Sequence, residues 1–170
     1  MPDPEPSHNI SILINQQCWQ QSLSYWENLI NPAVKETLRQ ANWTKAADIN
    51  ILLTDDKEIQ SLNKQFRGLD KATNVLSFPS FEPEDILKLT PDNSAQTPII
   101  LGDIALAFEA IQQESLAQHK PFNHHLIHLV VHGILHLLGF DHEEDEEALK
   151  MESLEIEILS TLMIPNPYHE

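Results

Sequence analysis

Apolar positions along the chain change their spacing several times, and each change predicts a new element. Ile10, Ile12, Leu13 and Ile14 form a short β-branched run over 10–15, which reads as a first strand. From Ser22 to Gln40, Leu23, Trp26, Leu29, Ile30, Val34 and Leu38 recur at three- and four-residue steps, the period of an amphipathic helix. Pro32 is expected to kink that helix or split it in two. Trp19, Tyr25 and Trp26 lie at or near helical spacing and are assigned to core packing. A second strand is predicted over 47–53, where Ala47-Asp48-Ile49-Asn50-Ile51 alternates before Leu52-Leu53 turns continuously apolar. Thr54 or Asp55 can cap the next helix, which turns Ile59, Leu62 and Phe66 inward and ends at Arg67-Gly68. Thr73 to Pro79 is a third strand stopped by proline.

The polar stretch from Glu82 to Pro98 reads as a mobile loop with one helical turn near Ile86 to Leu89. Ile99 to Leu106 is the fourth strand, leading into a helix over about 107–118. An apolar helix is expected over about 123–138, and a last helix follows the acids Glu143 to Glu147, with Ala148, Leu149, Met151, Leu154, Ile156, Ile158 and Leu159 as its apolar positions. Those acids complement a helix N-terminus, so their plain meaning is a solvated helix start. Four strands interleaved with about five helices give an α/β or α+β fold, and α+β is expected, as one domain over residues 9–165. Residues 1–8, rich in proline and acid, are expected to be disordered.

Composition limits the setting. With 170 residues, 41% of them hydrophobic, one ordinary core is enough. No apolar stretch reaches the length of a membrane span, and Met1 to Pro6 lacks a basic start and an apolar signal core, so a cytoplasmic protein is expected, with no membrane partner. Cys18 is the only cysteine, which excludes an intrachain disulfide and leaves any metal to nitrogen and oxygen ligands. A net charge of −16 argues against a broad phosphate-binding surface. The charge is uneven, however: acids crowd 141–157, whereas Lys57, Lys64, Arg67 and Lys71 fall in one short region.

Chemistry concentrates in His132-Gly133-Ile134-Leu135-His136-Leu137-Leu138-Gly139-Phe140-Asp141-His142. On a helix, His132 and His136 project from one face. The pair alone reads more readily as two hydrogen-bonded core residues, but a helix-ending glycine and a third histidine shift the reading. Gly139 can take the left-handed conformation that closes a helix, and it returns His142 toward the first two. Three imidazoles without a fourth protein ligand suit a catalytic Zn2+ site open to water, whose pKa a bound ion lowers from about 16 to about 7. His128 and His132 as the chelating pair would strand His142. His128 is taken as a core residue or one that orients a ligand, and His8, His119, His124, His125 and His169 as surface residues. Asp141 is expected to point away or brace the turn. Asp103 could orient a histidine or simply end a strand, and Thr73, Asn74 and Ser77 could border the cleft.

The run HGILHLLGFDH resembles the signature of the YbeY endoribonucleases, bacterial rRNA maturation factors, H-G-x-L-H-L-x-G-Y-D-H, with Phe140 in place of the tyrosine. Leu62 to Pro79 resembles the family block L-N-x-x-[YF]-R-x-x-[DN]-x-x-T-[DN]-V-L-S-F-P, and Leu101-Gly102-Asp103-Ile104 resembles its L-G-D-I segment. The resemblance implies a mixed four-stranded sheet packed by helices, one zinc ion on His132, His136 and His142, and cleavage of single-stranded rRNA, late at the 16S 3′ end and in ribosome quality control. By itself Arg67 reads as a surface arginine beside a glycine turn. The resemblance aligns it with the family's functional arginine and so makes it the catalytic cation, able to hold phosphate oxygens in its planar fork. The acidity and the resemblance together suggest a ribosomal protein or ribosome-associated GTPase as partner, and no DNA. Two other readings stay open: a zinc metallopeptidase, against which Gly133 stands where such enzymes carry glutamate, and a metal-stabilised, non-catalytic ribosome assembly factor.

Overall fold

The computed structural model describes residues 6–86, 88, 89, 98–141 and 143–168. Its elements run β1 (Asn9–Ile14), α1 (Leu23–Gln40), β2 (Ala47–Thr54), α2 (Asp56–Arg67), β3 (Val75–Pro79), α3 (Pro83–Ile86), β4 (Ile99–Ala107), α4 (Phe108–Ala117), α5 (Phe122–Leu137) and α6 (Asp145–Thr161). Among the described residues there are thus six helices against about five expected. The sixth is the single turn α3, which begins three residues before the turn expected near Ile86. Four expectations lie wholly or partly outside the described residues: 1–5 of the N-terminal segment, 87 and 90–97 of the polar loop, His142 as a ligand and His169 as a surface residue. His8 is described, and its Nδ1 accepts the Ala47 N–H at 3.0 Å.

The four strands form one mixed sheet in the order β1-β2-β4-β3. β1 pairs parallel with β2 and β2 parallel with β4, while β3 runs antiparallel to β4 at the edge. Parallel neighbours need crossover helices, and α1 supplies the first between β1 and β2. Leu101, Ile104 and Leu106 of β4 turn to the large core shared with α1, α5 and α6, whereas Ala105 and Ala107 turn to a smaller cluster with Ile59 of α2. Asp55 caps α2 by accepting the Glu58 N–H at 2.9 Å, and Gly68 closes that helix at φ 71°. Of the expected kink or split, the split does not occur: α1 runs as one helix through Pro32. Pro32 and Asn28 lie on the solvent side, so water can serve the carbonyl that the missing N–H would have bonded. Trp19 and Trp26 pack edge to face in the core at 5.0 Å, as expected, whereas Tyr25, also assigned to the core, is 38% exposed and rests on Trp26 from the surface. No helix among the described residues is long and apolar enough to cross a membrane.

The helix that matters most for chemistry, α5, lies between α1, α4 and α6 and the sheet edge formed by β3 and β4. It is buried almost all round, and His128, His132 and His136 make the less buried stripe. Gly133 lets it approach the sheet: a Cβ there would stand 3.0 Å from Ile104 Cδ1 and 3.2 Å from Ser77 Oγ. A glutamate at this position would push an unpaired carboxylate against the sheet. Gly133→Glu should therefore lower stability by about 3 to 5 kcal/mol. A chemical-denaturation midpoint equal to wild type would show that the helix can move away.

Candidate active site

The carboxyl end of α5 is built as the sequence suggests. Gly139 adopts φ 94° and its N–H bonds His136 O at 3.0 Å, while the Phe140 N–H reaches back to Leu135 O at 3.0 Å. This is the paired-bond closure of a helix by a left-handed glycine. A Cβ on Gly139 would meet Pro83 and Ile86, so α3 packs directly over the turn. The turn opens into a cleft of about 460 Å³ lined by Arg67, Ser77, Pro79, His132, His136 and Asp141, among others. Asp141, expected to point away or brace the turn, is among the residues that line the cleft. Asn74 and Ser77 border the cleft as expected, and Thr73 is not among its lining residues.

His132 and His136 bring their Nε2 atoms to 3.0 Å, with ring centroids 4.5 Å apart. The centroids of His128 and His132 are 6.5 Å apart, so the convergent pair is the second one. Ligands of a tetrahedral zinc ion at 2.0–2.1 Å stand about 3.3 Å from each other, and the His132–His136 spacing suits that arrangement. Among the described residues no group of three His, Cys, Asp or Glu side chains comes together as a metal site, and the expected third ligand, His142, lies outside them.

Behind His132 stands a residue that sequence reasoning missed. Glu155 of α6 is fully buried, its Oε1 lies 2.7 Å from His132 Nδ1, and its Oε2 lies 3.0 Å from His128 Nε2. The Tyr168 hydroxyl donates to the same carboxylate through a short hydrogen bond. Burial alone would push the Glu155 carboxyl up, but hydrogen bonds from His128, His132 and Tyr168 outweigh it and hold its pKa at about 2. Burial and the Glu155 charge push the Tyr168 phenol up, so its hydroxyl remains a donor. In neutral His132, Nδ1–H donated to Glu155 leaves the Nε2 lone pair for the cleft, the tautomer a metal ligand needs. The signal for Glu155 was present in the sequence: it falls on the α6 stripe with Met151, Ile158 and Leu159, where an acid breaks an inward apolar row.

Arg67 reaches the cleft from the opposite face of the sheet. It ends α2, passes the edge strand β3 and donates from Nη2 to Ser77 O at 2.7 Å, which uses one of its five N–H donors. Because β3 is the edge, Ser77 O has no strand partner beyond it, and Arg67 takes that place. The Ser77 hydroxyl lies 3.3 Å from Gly133 O, tying β3 to α5. Among the described residues Asp103 orients no histidine; its Oδ1 accepts from Asn50 Nδ2 at 3.0 Å, and it pairs with β2 on the side away from α5.

His125, expected at the surface, is only 5% exposed and sits 2.7 Å from Glu114 through Nε2. Asn74 Nδ2 donates to the same Glu114 carboxylate at 2.9 Å. The His125 hydrogen bond, against burial and with help from Asn74, holds the Glu114 carboxyl below the usual carboxylate range. A depressed folded-state pKa adds stability above the unfolded value near 4.3 and loses it as pH falls through the folded value. Glu114→Gln should therefore have a lower thermal midpoint at neutral pH and a shallower decline below about pH 4.3. Parallel pH profiles for the two proteins would remove Glu114 from the acid response.

Comparison with known proteins agrees with this architecture. The sequence profile of the family described as Endoribonuclease YbeY matches residues 12–163. An Endoribonuclease YbeY of Nitrobacter hamburgensis is 46% identical over 158 residues, covering 92% of this chain and 80% of the relative. One from a Bradyrhizobium species is 43% identical over 164 residues, covering 96% and 94%. The solution structure of a Thermotoga maritima protein shares the fold with a TM-score of 0.55 at 24% identity, over 95% of this chain and 99% of that one. With its profile match, its relatives and the His132–His136 helix set against a mixed sheet, the chain belongs to the YbeY endoribonuclease family.

Proposed function

We propose that this protein is a zinc-dependent endoribonuclease that cuts single-stranded RNA in the cytoplasm, acting in rRNA maturation at the 16S 3′ end and in ribosome quality control. The observation that carries the reading is the convergence of the His132 and His136 Nε2 atoms, 3.0 Å apart, in the cleft that Arg67 also lines. These two histidines would hold the ion, with His142 as the third ligand implied by the family pattern. When bound, a divalent ion supplies Lewis acidity toward a phosphoryl oxygen and lowers the pKa of water to about 7. Glu155 keeps His132 in the ligating tautomer. Arg67 offers its remaining donors to the phosphate and stabilises the charge that grows on it as the P–O bond breaks. Asp141 and Glu143 carry the cleft carboxylates able to take a proton from the nucleophile.

The close contact at Gly133 favours this reading over a peptidase, because a general-base glutamate has no room there. An acidic chain of net charge −16 binds RNA weakly by charge alone, which supports a ribosomal protein or ribosome-associated GTPase as the source of added affinity. A pulldown from cell extract is expected to retain one of these, and recovery of neither removes the partner from the proposal. The activity itself is tested by offering a single-stranded rRNA fragment, its duplex and an unstructured peptide to zinc-loaded protein. Cleavage of the single strand is expected. Cleavage of the peptide alone would make the protein a peptidase, and cleavage of nothing would favour a non-catalytic assembly factor.

A further inference from the structure

The end of α2 carries an apolar surface that core packing does not use. Phe66 shares its stripe with Ile59 and Leu62, yet Ile59 is fully buried while Phe66 is 60% exposed. Its ring meets Phe78 of the edge strand at 5.5 Å, edge to face, and the Arg67 guanidinium lies 6.0 Å from the Phe78 centroid. Leu69, just past the Gly68 turn, is 49% exposed. Lys64 and Lys71, two residues before Phe66 and five after it, are both exposed in a stretch where basic residues outnumber acids, and Lys64 Nζ lies 3.8 Å from the exposed Asp70 carboxylate.

The two walls of the cleft differ in sign. Arg67 lies on the β3 side, whereas Asp141 and Glu143 lie on the α5–α6 side, where Asp145, Glu146 and Glu147 continue the acidic run. A phosphate backbone is repelled by the second wall and attracted by the first, so a strand entering the cleft must approach over β3 from α2. On that route the first apolar surface it meets is Phe66 against Phe78. Unpaired bases stack on exposed aromatic faces while neighbouring lysines hold the backbone, and a paired base is not free to do so.

We propose, resting on the endoribonuclease reading, that Phe66 with Phe78 is a stacking ledge for one unpaired base of single-stranded RNA beside the cleft, with Lys64 and Lys71 holding the flanking phosphates. The ledge selects single strands before chemistry, and Arg67 links it to the cleft through Ser77.

The test uses full-length, zinc-loaded protein and two fluorescent decamers, oligouridylate and the same backbone without bases, with binding read by anisotropy and strand integrity on a gel from the same samples. Phe66→Ala should weaken binding to oligouridylate by about tenfold to a hundredfold, the range of one lost base–aromatic stack, and change binding to the baseless strand by less than about twofold. Phe66→Trp should bind oligouridylate as well as wild type, and thermal midpoints of all three should agree. In cleavage, Phe66→Ala should raise KM with kcat kept. Equal loss on both strands, no loss on either, or no binding by wild type overturns the ledge. Wild type that cleaves but binds independently of Phe66 overturns the ledge and leaves the nuclease reading. Binding that depends on bases and on Phe66 without any cleavage supports the ledge and overturns the nuclease reading. Loss of captured protein instead of RNA on Phe66→Ala would turn the surface into a protein contact and overturn it.

Discussion

Arg67→Ala is expected to slow cleavage of single-stranded RNA by about a hundredfold to a thousandfold while the protein stays folded. That is the cost of removing one positioned donor from a charge that develops in the transition state, about 3 to 4 kcal/mol in barrier. The structure explains why the fold should survive. Arg67 is exposed and ends a helix, and its one backbone bond, to Ser77 O, lies at a sheet edge that water can reach. It also explains why lysine should be a poor substitute: a single ammonium cannot hold Ser77 O and present a planar fork to phosphate together. Steady-state rates on one rRNA fragment for wild type, Arg67→Ala and Arg67→Lys check this. A kcat for Arg67→Ala within about threefold of wild type would take the arginine out of the chemistry.

Glu155→Gln should weaken zinc binding by about tenfold to a hundredfold, although Glu155 would touch no metal. The carboxylate now serves His132 Nδ1, His128 Nε2 and the Tyr168 hydroxyl at once. An amide has one acceptor oxygen and adds N–H donors, so at least one of those groups loses its partner or His132 changes tautomer. Leaving a buried donor unpaired costs about 1 to 3 kcal/mol, so a drop in thermal midpoint should accompany the weaker binding. Tyr168→Phe, which removes one of the three hydrogen bonds, should move both quantities in the same direction by less. Competition with a chromophoric chelator reads the affinity directly. Unchanged affinity in Glu155→Gln would mean that the packing of α5 alone orients His132.

Much of this arrangement could be read from the sequence because local period and turn chemistry decide it. The four strands, the order of the helices, the His132–His136 pair and the Gly139 closure follow from alternation, helical spacing and a glycine that can go left-handed. Features set by distant contacts were not legible. Arg67 looks like a surface residue until β3 is known to be an edge strand that it can pass. His125 looks exposed until Glu114 arrives from another helix, and Pro32 looks like a break until its face of α1 proves to be the solvated one. Glu155 was within reach, since an acid on an apolar stripe asks for a buried partner, but the partner lies 23 residues away in sequence and only tertiary packing names it.

The central claim is that His132 and His136 hold a metal on which cleavage depends. Protein stripped by a chelator and then titrated with Zn2+ should gain single-strand cleavage in step with bound metal, up to about one equivalent per chain, while folded His136→Ala binds little metal and cuts nothing. Full cleavage by the stripped protein, or equal cleavage by His136→Ala, would contradict the account.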